Sequence, residues 1–233
     1  MEEHGTALRI VVNRELKRLL QPRLIFFFIS ILFMEIIWML MGSIIPLPSN
    51  ELQTINATYG RTISNISQNP ASYWFFIASH NIRNVLVELI PGFGILVATF
   101  AAIGTGEIIQ AFAIIGGPAY PIHVAPVLVL LLFLFPHTIV ELSAYALACA
   151  SSLYFVVSFF GKKRKSIGEN VKTLLSGAIV SIMLILAAAF FETLINFWFM
   201  IGALMWFPIF FVVHRIRSWA KTPSDLDALN SHG

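Results

Sequence analysis

The stretch Pro136-His137-Thr138-Ile139-Val140-Glu141-Leu142 lies between two runs without charge, residues 124–135 and 143–160. Apolar runs of this kind are read first as membrane helices. A His and a Glu at bilayer depth are costly, so they mark function or a specific internal contact. Proline removes a backbone donor and clashes with the preceding turn, so a helix meeting Pro136 must break there. Upstream, residues 122–135 are only 14 long, too short to span unaided. They read as a half-helix that turns at Pro136, after which the chain continues inward through Glu141. Broken helices are tolerated at depth only where protein or a wet cavity surrounds them.

Composition extends this reading to the whole chain. Its 233 residues are 58% hydrophobic and 12% charged, with mean hydropathy +0.81. Soluble domains carry about 25% charge, so a soluble domain is excluded. Thirteen of the fifteen Lys and Arg fall in three polar segments. They are Arg9, Arg14, Lys17, Arg18 and Arg23; Lys162, Lys163, Arg164, Lys165 and Lys172; and Arg215, Arg217 and Lys221. Under the positive-inside rule all three are cytoplasmic, and the basic balance reflects topology and anionic lipid rather than nucleic acid. Cys149 is the lone cysteine, so no internal disulfide forms. The first apolar run is too long for a signal-peptide core and is expected to stay as an anchor.

These signals give an all-α, polytopic membrane bundle of about six spans in one membrane domain, 1–233, with both termini cytoplasmic. Residues 6–20 place Leu8, Val12 and Leu16 on one face and basic residues elsewhere, which fits an interfacial helix or an ordinary juxtamembrane segment. Residues 24–45 form the first span, and 46–72 a polar outer loop. That loop holds the sequons at Asn56 and Asn65, an expected pair of glycosylation acceptors. The core, 73–160, offers three crossings plus the half-helix; 161–170 is a cytoplasmic basic loop. Residues 171–214 form a two-span hairpin, and 215–233 a cytoplasmic tail.

Five acids lie inside expected spans: Glu35, Glu88, Glu107, Glu141 and Glu192; Arg83 is the one base there. On a helix His80, Asn84 and Glu88 recur every four residues with Asn81 alongside, so their stripe faces protein or a cavity. His137, Glu141 and Tyr145 form a second such stripe. Both fit interhelical hydrogen bonding or the lining of a substrate or ion path. Arg83 sits off its stripe and is expected to pair with an acid on another helix. His137 and Glu141 lack the second His of a zinc helix motif, so no metal and no cofactor are expected. The only two Asp residues, Asp225 and Asp227, lie in the tail, which leaves no Ser-His-Asp catalysis. No phosphate-binding loop is present, so ATP-driven work requires another chain.

Pro136-His137-x-x-x-Glu141-Leu142, followed by Ala144, Ala146 and Ala148, resembles the stage II sporulation protein M family. That family carries a Pro-His-Gly-x-x-Glu-Leu-Pro-like signature and then a small-residue helix. Thr138 stands for the glycine and Ser143 for the last proline. Asn81 and Asn84, then Gly92 and Gly94, resemble its Asn-rich segment and glycines; Glu192 resembles an acid near its C-terminal span. The resemblance covers about residues 73–196 and implies a membrane-embedded, non-enzymatic protein. The sporulation member looks like a scaffold for cell-wall hydrolases. A second stretch, Asn13-Arg14-Glu15-Leu16-Lys17-Arg18-Leu19-Leu20-Gln21-Pro22-Arg23, looks like the start of ABC exporter permease subunits.

Three functions follow as expectations. The first is a non-catalytic membrane subunit, in a homo-dimer or with another membrane protein. The second is a permease subunit whose separate ATPase docks through Arg14, Lys17 and Arg18 and near Glu88 and Pro91. The third is a proton- or cation-coupled carrier using Glu141, His137 and Glu88.

Overall fold

The computed structural model describes residues 13–66, 69–115, 124–160 and 166–197, with positions 211 and 214. All regular structure among them is helical: α1 (13–19), α2 (Pro22–Ile44), α3 (Ser49–Ile66), α4 (Pro70–Glu88), α5 (Gly94–Ile115), α6 (Val124–Leu132), α7 (Pro136–Phe160) and α8 (Ile167–Phe197). Among the described residues four helical stretches are long and apolar enough to cross a membrane: Pro22–Ile44, Gly94–Ala111, Pro136–Phe160 and Ile167–Leu194. At 1.5 Å per residue, even the shortest of these approaches the roughly 30 Å hydrocarbon core. Most of the second arm of the 171–214 hairpin, the basic run 161–165 and residues 6–12 lie outside the described residues.

Local chemistry sets the helix ends. Asn69 caps α4, its side-chain oxygen accepting from the Ala71 and Ser72 amides at 2.9 and 3.4 Å, with Pro70 in the first turn. After Glu88 the chain turns through Pro91 and Gly92, whose φ of +81° suits a residue without Cβ. At Pro136 the break expected from sequence is present. Helix α6 stops at Leu132, and the Phe133, Leu134 and Phe135 amides bond back three residues in a tight turn. Pro136 then opens α7, where its missing donor leaves no helical acceptor short. Helix α6 has nine residues, about 14 Å, so it reaches only half-way through a bilayer core.

Residues 49–66, read as part of a polar loop, are the helix α3. Leu52, Ile55, Tyr59, Ile63 and Ile66 recur every three or four residues, which is a helical apolar period set in a polar segment. Asn56 and Asn65 both lie on this helix.

Helix α7 occupies the centre, flanked by α8, α2, α4 and α5. Its buried residues are mostly small: Ala144, Ala146, Ala148, Cys149, Ala150, Ser151 and Ser152. In lipid no hydrophobic force drives helices together, so close approach by small residues supplies the packing energy. The same device joins α8 to α7, where Gly177 lies directly against the Ser151 side chain. It also joins α2 to α5. A Cβ on Gly42 would strike the Ile103 carbonyl, and one on Gly106 would strike the Met39 carbonyl.

Candidate functional site

The central feature is a partly open cavity of about 560 Å³ lined by α2, α4, α5, α7, Leu132 of α6 and the end of α8. Both sequence stripes face it. His80, Asn81, Asn84 and Glu88 line it from α4; His137, Glu141 and Tyr145 line it from α7; Glu192 closes it from α8. Two acids are held by donors. The Glu141 carboxylate accepts from Asn81 Nδ2 at 3.0 Å and Tyr145 OH at 2.9 Å, both on Oε1. The first bond ties α4 to α7. Glu192 Oε1 accepts from Tyr73 OH at 3.1 Å, tying α4 to α8. His137 pairs through Nε2 with the Thr138 hydroxyl at 3.3 Å, while its Nδ1 is buried without a partner among the described residues.

Three expectations change. Arg83 is exposed, absent from the lining and in no ion pair among the described residues, because its position on α4 points away from the stripe. Glu107 is half-buried on α5 and also off the lining. Glu35, counted among the span acids but placed on no stripe, lines the cavity from α2. Its face carries Ile31, Met39 and Gly42, all buried, and the small Gly42 marks that face as the packed one. Among the described residues no three His, Cys, Asp or Glu come together to hold a metal ion.

A second polar cluster lies at the N-terminal end of the bundle. Glu15 on α1 accepts from Arg18 Nη1 and from Ser176 Oγ on α8, each at 2.5 Å. Arg18 reaches Glu169 at 3.5 Å, and Lys172 holds Glu169 at 2.9 Å. Arg18 therefore faces inward, whereas Arg14 and Lys17 point outward. The Ser176 bond, then Arg18, hold the Glu15 carboxyl below its usual range. A depressed carboxyl stabilises the folded state above its unfolded value, about 4.3, and that contribution disappears as pH falls through the lower folded value. Amide exchange over residues 13–20 should thus stay protected at pH 5 and rise in more acid buffer. Glu15→Gln should raise it already at pH 7. Equal exchange in the variant and the parent at pH 7 would sink the idea that Glu15 pins α1.

Fold and cavity define the class: an α-helical membrane protein whose polar groups turn inward between its spans. The family model for stage II sporulation protein M matches residues 23–196, and the chain belongs to that family. The match begins at the first span and ends just past Glu192, so it contains the whole cavity. No curated protein and no solved structure matches the chain.

Proposed function

We propose that this chain is a non-catalytic membrane subunit of about six spans, with both termini cytoplasmic, that works by assembling with partner proteins. The observation that carries the reading is the use made of Glu141. The acid of the Pro-His-x-x-x-Glu motif is tied by Asn81 to the neighbouring helix and by Tyr145 within its own, in the manner of a structural group. Arg14 and Lys17 lie outward on α1, where a cytoplasmic partner would meet them. A partner that hydrolyses ATP makes the chain a permease subunit; a membrane or envelope partner makes it a scaffold.

Purification of the tagged full-length chain from its native membrane tests this. A partner should co-purify in near-equal amount, and Arg14→Glu combined with Lys17→Glu should release it while the chain still folds. A chain that purifies alone and carries cation flux by itself in sealed vesicles would overturn the proposal in favour of a carrier.

A further inference from the structure

Two of the four cavity acids have donors and two do not. Glu35 on α2 is 2% exposed and Glu88 in the last turn of α4 is 1% exposed. Among the described residues none of their four carboxylate oxygens has a hydrogen-bond partner. Both line the same cavity. Among the described residues no Lys or Arg lines the cavity to answer them. A buried carboxylate without donors or a counter-charge is strongly unfavourable, and two that share one cavity are worse. The carbonyl end of α4, which stops at Glu88, adds further negative potential at the same place.

The geometry points to a bound cation: we propose that Glu35 and Glu88 together hold one hydrated divalent cation of the magnesium class inside the cavity. Charge selects the valence, because two carboxylates are neutralised by one divalent ion. Ligand type selects the class. The lining carboxylates are hard oxygen donors, and no set of three His, Cys, Asp or Glu exists among the described residues for a zinc-like site. Magnesium is commonly held by one or two carboxylates while keeping several waters. A space of about 560 Å³ has room for those waters around the ion. Glu141 and Glu192 already accept from Tyr and Asn donors, so they border the site without being its first ligands. The ion would join α2 to α4.

The test uses the full-length chain, stripped with chelator and placed in phosphatidylcholine nanodiscs at constant ionic strength. Mn2+ serves as the paramagnetic probe for a magnesium-type site. Wild type should bind about one Mn2+ per chain, displaced by Mg2+ but not by Na+, and Mg2+ should raise its unfolding temperature saturably. Glu35→Gln and Glu88→Gln should each weaken Mn2+ binding by about tenfold or more. Glu107→Gln, on an acid outside the lining, should leave it unchanged. Wild type that shows no saturable Mn2+ binding overturns the site, as does binding at the wild-type level by both Gln variants. Should a variant fail to fold, the wild-type titration alone decides. A pair that instead shares a proton would bind no Mn2+ at neutral pH, which also overturns it.

Discussion

Gly106→Ala should lower the unfolding temperature of the purified chain, while Gly104→Ala, two residues away on the same helix, should leave it unchanged or raise it. The contrast rests on what each new methyl would meet. At Gly106 a Cβ would run into the Met39 carbonyl and crowd the Ser43 amide of α2 at 2.8 Å. At Gly104 nothing lies within 4 Å. Backbone cannot rotate aside as a side chain does, so α2 and α5 must separate along their crossing. Overpacking of this kind costs about 1–3 kcal/mol. At Gly104 the methyl gains up to about 1 kcal/mol of helix propensity with no steric opposition. The two variants should therefore differ by roughly 2–4 kcal/mol. Gly42→Ala meets the Ile103 carbonyl across the same crossing and should resemble Gly106→Ala. The double variant should lose less than the sum, because the first methyl already parts the helices. Thermal unfolding of all four in one detergent measures this. Equal midpoints for Gly104→Ala and Gly106→Ala would show that the crossing is looser than the structure has it.

The glycine crossing also explains which parts of the site were legible in sequence. A helical stripe is visible when polar residues repeat every three or four positions, and His80, Asn84 and Glu88 do so, as do His137, Glu141 and Tyr145. Periodicity alone put each set on one face, and expense in lipid turned that face inward, to the cavity they now line. Glu35 had no such partners. It stands alone among Phe, Ile and Met, so its side of α2 was set by Gly42, seven residues on, which packs on α5. Glu107 stands on α5 between Thr105 and Ile108, which line the cavity, but its own position on the helix is off the lining. Arg83 was misjudged for a related reason: an unpaired base was expected to seek an acid, but its register on α4 faces outward. The helix α3 was hidden by composition, since Asn, Ser and Thr suggest a loop while Leu52, Ile55 and Tyr59 keep a helical period beneath them. The break at Pro136 was legible because one residue dictates it.

Glu141→Ala should destabilise the bundle by about 1–2 kcal/mol, and Glu141→Gln by much less. Alanine removes the one oxygen that receives both Asn81 Nδ2 and Tyr145 OH. Hydrogen bonds between membrane helices average about 0.6 kcal/mol, but a buried donor left unpaired costs about 1–3 kcal/mol. Burial decides which figure applies to each partner. Asn81 is 6% exposed, so its amide has little access to water once Glu141 is gone. Tyr145 is only half-buried on the cavity wall, and its hydroxyl can turn to cavity water. The Asn81 bond also joins two helices, whereas the Tyr145 bond stays within one turn of α7. In double-mutant cycles the coupling of Asn81→Ala with Glu141→Ala should therefore exceed that of Tyr145→Phe with Glu141→Ala. Glutamine keeps a carbonyl oxygen in place to accept both donors, and its own amide faces a cavity large enough to hydrate it. If Glu141→Gln proves as damaging as Glu141→Ala, the charge of Glu141 rather than its hydrogen bonds is what the protein uses. The motif would then have to be read as part of an ion path, and the assembly reading would lose the observation that carries it.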